Sequence, residues 1–177
     1  MKISGGEFKG RTLKTPKGPA TRPTKSILRE AFFNICQHEI QGARFLDLFA
    51  GSGSMGFEAL SRGAASVVFV EQNPNAIRCI RENIALLQMQ TRAELLPADV
   101  FSALKRLEKR KDSFNLIYID PPYDKVAELA PLILQELKER ALIAELGTVF
   151  LEGPSRTKPL DCFSKERTFG NARLYQS

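Results

Sequence analysis

Runs of apolar residues alternate along this chain with segments in which apolar residues recur at helical spacing. Five short runs, at residues 45–48, 66–71, 93–96, 114–120 and 148–151, have the length and composition of buried strands. Around them, apolar residues three or four positions apart predict helices near residues 25–35, 56–62, 74–87, 100–107 and 131–144. Strands that alternate with helices predict an α/β protein with a mainly parallel, doubly wound sheet.

The two ends of the chain depart from this alternation. Residues 162–168 and 172–175 flank Gly170-Asn171, which predicts an antiparallel hairpin at the edge of the sheet. Near the start, Ile3, Phe8 and Leu13 alternate with glycines and basic residues, which predicts a second, small hairpin. We therefore divide the chain into a basic arm, residues 1–22, and a main domain, residues 23–177.

The most informative stretch is residues 45–56, where an apolar run leads into a glycine-rich turn. Gly51, Gly53 and Gly56 have GxGxxG spacing, and Glu71 closes the next apolar run 20 residues after Gly51. Glycines allow the backbone to approach a ligand, and an acid at this distance suits the hydroxyl pair of a ribose. The pattern predicts a site for a nucleoside-containing cofactor.

Asp47 discriminates between the possible nucleoside cofactors. It lies just before the turn, where NAD would place its pyrophosphate, and a fixed carboxylate in a poorly solvated crevice repels that group. S-adenosylmethionine has no phosphate and carries an ammonium and a sulfonium, so it fits the acids at Asp47 and Glu71 better. The alternative is that Asp47 only caps a turn or a helix.

Composition limits the remaining possibilities. With 177 residues, 43% of them hydrophobic and 26% charged, the chain fits one globular domain, for which we expect a monomer. No apolar run reaches membrane-spanning length and the first residues lack a signal-peptide core, so we expect a cytoplasmic protein. Three cysteines without CxxC spacing and the single His38 argue against a disulfide framework, a metal site or Ser-His and Cys-His catalysis.

Charge is concentrated at the N-terminal end. Residues 1–30 hold eight Lys or Arg and two Glu, whereas the other 147 residues carry 18 charges of each sign, so the net charge of +6 belongs to this segment. Such an asymmetry indicates a surface for the phosphates of RNA or DNA. A solvated basic tail is the alternative.

A second motif, Asp120-Pro121-Pro122-Tyr123, follows the fourth predicted strand directly. Two prolines fix the backbone so that the Asp120 carboxylate and the Pro121 carbonyl can both face the crevice. Two acceptors and no donor suit an exocyclic amine on a base, and they stabilise the positive charge that develops on the nitrogen as it attacks a methyl group. The ring of Tyr123 can stack on a base turned out of its helix.

These motifs together resemble a known family. FLDLFAGSGSMG with DPPY resembles the class I S-adenosylmethionine-dependent methyltransferases that act on amino groups. With SGGEFKGRTL, TRPT, EALSRGA and ARLYQ added, the chain looks like the RsmD family, which methylates the exocyclic N2 amine of one guanine in bacterial small-subunit (16S) ribosomal RNA. The resemblance implies a Rossmann-like fold with a seven-stranded sheet, and S-adenosylhomocysteine as a product.

The resemblance also assigns residues to roles, in three groups. Those expected to bind the cofactor are Asp47, Phe49, Ala50, Gly51, Ser52 and Gly53 for the methionine part, Glu71 and Gln72 for the ribose, and Asp99 and Val100 for the adenine. The guanine amine is assigned to Asp120, Pro121, Pro122 and Tyr123. The expected RNA contacts are Lys9, Arg11, Arg22, Thr24, Lys25 and Arg29.

Other functions remain open at this stage. A DNA adenine or protein glutamine methyltransferase would use a similar turn, although the short basic arm favours structured RNA. An NAD-dependent oxidoreductase would bind NADH instead, and an RNA-binding module with a vestigial cofactor site would bind RNA with a steep salt dependence but transfer no methyl group.

Overall fold

A computed structural model describes residues 1–16, 23–156 and 160–177 of the chain. Its strands are β1 Arg44–Leu48, β2 Ser66–Glu71, β3 Ala93–Pro97, β4 Phe114–Ile119, β5 Ile143–Pro154, β6 Lys165–Phe169 and β7 Ala172–Gln176. Its α-helices are α1 Pro23–Ile35, α2 Ser54–Ser61, α3 Pro74–Leu86, α4 Val100–Lys109 and α5 Val126–Glu139, and a 3₁₀ turn spans Tyr123–Lys125.

The strands form one seven-stranded sheet in the order β3-β2-β1-β4-β5-β7-β6. Strands β1 to β5 are parallel, and β7 runs antiparallel between β5 and β6. The predicted sheet and its C-terminal hairpin are therefore confirmed. The strand order reverses between β1 and β4, and ligands of doubly wound sheets bind at such a switch point.

Helices cover both faces of the sheet and enclose two apolar cores. Helices α1, α2 and α3 pack on one face, where the ring of Phe32 meets those of Tyr118 and Phe150 edge-on at 5.1 and 4.8 Å. Helices α4 and α5 pack on the other face, α4 against β2 and α5 against β5. Among the described residues, no helix is long and apolar enough to span a bilayer.

Two predicted boundaries were wrong around Pro131. The prediction began a helix at this proline, but α5 begins at Val126 and contains Pro131 in its interior. Val126 and Ala130, which precede the proline, are buried at the same helical spacing as the apolar residues that follow it. The apolar face of the helix therefore begins before Pro131. Residues 143 and 144, predicted as helix, belong instead to the long strand β5.

The N-terminal arm lies against the main domain. Ile3 and Leu13 are only 2% exposed and belong to the core beneath α1 and α2. The predicted hairpin is reduced to one antiparallel bridge between Lys2 and Thr12, because the residues between them turn along the surface of α2. Gly6 adopts a φ of 75° there, and a Cβ at this position would lie 1.7 Å from the Ser61 carbonyl oxygen.

Glu58 of α2 fastens the arm. Its carboxylate is 1% exposed and accepts hydrogen bonds from the Ser4 N–H and hydroxyl and from the Gly5 N–H, each at 2.8 Å. The guanidinium groups of Arg62 and Arg29 lie 2.8 and 3.6 Å from it. A buried carboxylate with these donors links the arm, α1 and α2.

We expect Glu58→Ala to lower the free energy of unfolding by about 3 to 5 kcal/mol, because it leaves the buried Arg29 guanidinium without its ionic partner. Urea unfolding measures the change. A matched control is Glu94→Ala, which removes an ion pair to Arg110 whose two side chains are each 42% exposed. That change should cost no more than about 1 kcal/mol. Equal losses in the two variants would contradict the role of Glu58.

Candidate active site at the switch point of the sheet

The carboxyl ends of β1 and β4 meet at the switch point and bring the two sequence motifs together. Leu48 of β1 is in register with Ile119 of β4, and the Asp120 N–H donates to the Leu48 carbonyl at 3.3 Å. The Asp-Pro-Pro-Tyr turn therefore begins beside the glycine-rich loop, which starts at Phe49. This neighbourhood was expected from the sequence because both motifs follow strands of one parallel sheet.

Glu71 holds the glycine-rich loop in place. One carboxylate oxygen accepts from the Gly51 N–H at 2.7 Å, and the other accepts from the N–H groups of Gln72 and Asn73 at 2.9 and 2.8 Å. The side chain of Gln72 is exposed beside it. These bonds tie the loop to the end of β2. That Glu71 and Gln72 also bind a ribose stays a prediction.

The three glycines of the GxGxxG pattern have different roles. Gly51 has a φ of 56°, and a Cβ at this position would meet nothing within 4 Å. A Cβ on Gly53 would lie 2.7 Å from the Phe57 ring, and one on Gly56 only 2.2 Å from the Phe69 ring. The backbone at Gly51 therefore faces open space, whereas Gly53 and Gly56 leave room for the rings of Phe57 and Phe69.

Asp47 is 2% exposed and caps α2 by accepting from the Gly56 N–H at 3.0 Å. The alternative interpretation of this residue, a helix cap, is therefore part of its role. Burial raises the pKa of Asp47 to about 8, the Gly56 N–H opposes that rise, and the negative charges of Asp120 and Glu71 add to it. The site thus places three carboxyl groups close enough to influence one another.

The remaining cofactor candidates line the same edge. Phe49 has a φ of 62°, which is unusual for a residue with a side chain and marks a constrained backbone just before the loop. The Ala50 N–H donates to the Val70 carbonyl at 3.0 Å, and the Ser52 carbonyl accepts from Asn83 at 3.4 Å. We predict that these residues border the methionine part of the cofactor.

Asp99 and Val100 lie at the end of β3. Asp99 caps α4 by accepting from the Ser102 N–H at 3.0 Å, and hydrogen bonds from Ser102 hold its pKa below the ordinary value. Val100 is 7% exposed and packs in the core on the α4 side. The assignment of both residues to an adenine stays a prediction.

The Asp-Pro-Pro-Tyr turn has a half-buried Asp120, a buried Pro121 and an exposed Pro122. Tyr123 is 37% exposed, and its hydroxyl donates to Glu152 at 2.7 Å. Sequence reasoning missed Glu152. It ends the apolar run of β5 as Glu71 ends that of β2, and this position near the end of a strand is the signal that could have identified it.

The predicted RNA contacts have different outcomes. Arg29 is 6% exposed and paired with Glu58, so the prediction that it contacts RNA phosphates was wrong. Lys9 and Arg11 are exposed at the surface, as a phosphate contact requires. Arg22 lies outside the described residues, and Thr24 and Lys25 are described only by their place in the first turn of α1.

These residues fit S-adenosylmethionine. A Cβ at Gly51 would enter open space, and the cluster of Asp47, Glu71 and Asp120 favours a positively charged ligand. S-adenosylmethionine carries positive charge and has no phosphate. Within residues 1–16, 23–156 and 160–177, no group of three or more His, Cys, Asp or Glu is arranged to hold a metal ion.

We expect two glycine variants to separate packing from binding. Gly56→Ala should lower the free energy of unfolding by about 3 kcal/mol, because its methyl group overlaps the Phe69 ring. Gly51→Ala should cost about 1 to 2 kcal/mol for its positive φ but weaken cofactor binding about tenfold or more, because its methyl enters the open space. Thermal unfolding and calorimetric titration measure the two effects. Unimpaired binding by Gly51→Ala would place the cofactor elsewhere.

We also expect cofactor binding to depend on pH through Asp47. Below pH 8 the carboxyl is largely protonated in the free protein, and a cationic cofactor favours its ionised form, so binding releases a proton. Affinity should rise by up to about tenfold per pH unit as the pH approaches 8, and then level off. Calorimetry at pH 7 in two buffers of different ionisation enthalpy detects the released proton.

The control for this experiment is Asp47→Asn, which retains an acceptor for the Gly56 N–H but cannot ionise. It should bind more weakly and release fewer protons. If the native protein gives the same binding heat in both buffers, Asp47 does not ionise on binding.

Comparison with known proteins identifies the family of the chain. The family model described as conserved hypothetical protein 95 matches residues 1–175. YlbH of Bacillus subtilis (strain 168) is 38% identical over 86% of this chain and 82% of its own length. The ribosomal RNA small subunit methyltransferase D of Haemophilus influenzae is 33% identical over 100% of this chain and 94% of its own length.

Solved structures share the fold. A hypothetical protein of Thermus thermophilus is 30% identical, with a TM-score of 0.84 over 99% of this chain and 98% of that chain. A SAM-dependent methyltransferase of Agrobacterium tumefaciens, at 18% identity, has a TM-score of 0.69 over 88% of this chain and 62% of that chain, which shows the common fold. With its switch-point site and these relatives, the chain belongs to the RsmD family of S-adenosylmethionine-dependent methyltransferases.

Proposed function

We propose that this chain transfers a methyl group from S-adenosylmethionine to the exocyclic N2 amine of a guanine in small-subunit (16S) ribosomal RNA. Relatives named ribosomal RNA small subunit methyltransferase D support the RNA class. The choice of guanine and of its N2 atom rests on the motif resemblance to the RsmD family. The expected substrate is the RNA within an assembling small subunit.

The observation that carries the proposal is the position of Asp120. Its backbone N–H is bound to the Leu48 carbonyl at the end of β1, so its carboxyl group lies at the junction with the glycine-rich loop. The prolines that follow fix the chain, and the Pro121 carbonyl offers a second acceptor without a competing N–H. An amine held by two acceptors can direct its lone pair at the methyl group.

S-adenosylmethionine supplies, when bound, a methyl group on a sulfonium. The amine nitrogen forms the new N–C bond as the S–C bond breaks, and the positive charge moves onto this nitrogen. Asp120 stabilises that charge because it is negative and close to the site of bond formation. The amine then loses a proton to water or to Asp120, and a neutral thioether, S-adenosylhomocysteine, leaves.

Tyr123 and the arm complete the proposed site. The partly exposed ring of Tyr123 offers a face on which the target base can stack. Exposed Lys9 and Arg11 on the arm offer positive charge to RNA phosphates at a distance from the reacting base. Recognition of RNA structure would then rest on the arm, and recognition of the amine on the turn after β4.

Methyl transfer from labelled S-adenosylmethionine tests the proposal. The candidate substrates are unmodified small ribosomal subunits, free ribosomal RNA, DNA and protein, each digested afterwards to nucleosides or amino acids. Label in N2-methylguanosine is the expected result. Label in DNA or protein would retain the amine chemistry but refute the substrate. Cofactor binding without any transfer would favour an RNA-binding module with a vestigial site.

In the same assay we expect Asp120→Ala to lower kcat about 10²- to 10³-fold, because the developing charge loses its carboxylate. Cofactor affinity at pH 9, where Asp47 is ionised with or without the charge of Asp120, should fall much less than kcat does. A matched control is Asp124→Ala, which removes an exposed acid four residues further along the same turn. Unchanged turnover in Asp120→Ala would show that the amine is held elsewhere.

A further inference from the structure

Glu152 connects the turn that bears Tyr123 to the interior of the sheet. It lies near the end of β5 and is 3% exposed. One carboxylate oxygen accepts the Tyr123 hydroxyl at 2.7 Å, and the other accepts the Tyr118 hydroxyl at 2.7 Å. A buried carboxylate thus bonds a buried tyrosine on one side and a partly exposed one on the other.

The two tyrosines differ in how tightly the fold holds them. Tyr118 belongs to β4, is 1% exposed, and its ring packs edge-on against Phe32 at 5.1 Å. Tyr123 stands on a single 3₁₀ turn and is 37% exposed, so its ring lies partly outside the core. The bond from Tyr118 fixes Glu152, and Glu152 in turn holds the hydroxyl end of the Tyr123 side chain.

We propose that Glu152 is a positioning residue for base binding: held by Tyr118, its carboxylate fixes the ring of Tyr123 in the orientation on which the target base stacks. This inference rests on the proposed function, because it assigns the stacking surface to Tyr123. The inference concerns how the Tyr123 ring is held in place. A phenylalanine at position 123 would retain the ring and lose only the hydrogen bond to Glu152.

The physical gain is preorganisation. Backbone motion at Tyr123 is already restricted by Pro121 and Pro122 and by a hydrogen bond from the Lys125 N–H to the Pro122 carbonyl at 2.9 Å. The torsions of the Tyr123 side chain are a further freedom, on which the hydroxyl bond acts. The charge-assisted hydrogen bond to Glu152 restricts these torsions before RNA binds, so RNA binding does not have to order the ring.

The first test is steady-state kinetics with the small-subunit RNA substrate. Tyr123→Phe should raise the KM for RNA about two- to tenfold, as expected from the ordering of one side chain, with little change in kcat or in cofactor affinity. Because Tyr123 is partly exposed, this variant keeps the fold. An unchanged KM would overturn the proposal.

The second test removes the acceptor. Glu152→Leu alone would leave the Tyr118 hydroxyl buried without a partner, so it is combined with Tyr118→Phe, which makes the whole buried pair apolar. This double variant should raise the KM as much as Tyr123→Phe does. Adding Tyr123→Phe to it should produce no further rise in KM, and a full additional rise would show that Glu152 acts by another route.

Glu152→Gln, which retains an acceptor of the same length, should recover part of the native KM.

A third measurement separates this inference from the proposed function. The chain has three tyrosines, so fluorine NMR of protein labelled with 3-fluorotyrosine gives three signals, assigned with single Tyr→Phe variants. In the Tyr118→Phe, Glu152→Leu variant the Tyr123 signal should narrow and move toward that of a freely rotating tyrosine. This readout needs neither RNA nor turnover.

If the Tyr123 signal of the native protein is restrained but no methyl group is transferred to RNA, the proposed function is refuted. If methyl transfer occurs but the Tyr123 ring is unrestrained, only the role of Glu152 is refuted.

Discussion

Four buried carboxyl groups, each bonded to backbone N–H groups or hydroxyls, hold the functional edge of this protein together. Asp47 caps α2, Glu71 ties the glycine-rich loop to β2, Glu58 fastens the arm and Glu152 anchors Tyr123. Each is at most 9% exposed. A buried carboxyl group is tolerated only where donors surround it, so the loops that supply those donors have little freedom to adopt another arrangement.

Two of these groups, Asp47 and Glu71, determine the charge of the site together with Asp120. Asp47, Glu71 and Asp120 influence one another at the switch point, and burial keeps the pKa of Asp47 near 8. A positively charged ligand relieves this unfavourable accumulation, whereas a pyrophosphate would increase it. Asp47 and Glu71 therefore have two effects: they accept hydrogen bonds from backbone N–H groups, and their charge disfavours an anionic ligand at this edge.

The arm is joined to this arrangement at two points among its described residues. Glu58 holds Ser4 and Gly5 beside α2, while the fully buried Asn83 of α3 accepts from the Lys14 N–H at 2.8 Å and contacts the Ser52 carbonyl of the glycine-rich loop at 3.4 Å. Composition showed residues 1–30 to be basic, but it could not show that Arg29 of α1 would be buried beside Glu58. A buried carboxylate needed that cation, and this need is visible only when α1 and α2 are seen side by side.

The sequence by itself determined the alternation of strands and helices, the glycine-rich loop, the turn at Asp120 and the family, because each depends on residues close together in the chain. Tertiary structure decided what depends on distant residues. It assigned open space to Gly51 and close packing to Gly56, made Asp47 a helix cap with a raised pKa, and paired Glu152 with Tyr123 across 29 positions. The physical reason is that burial and hydrogen-bond partners are properties of the assembled sheet, and no local pattern records which side chains will meet at its edge.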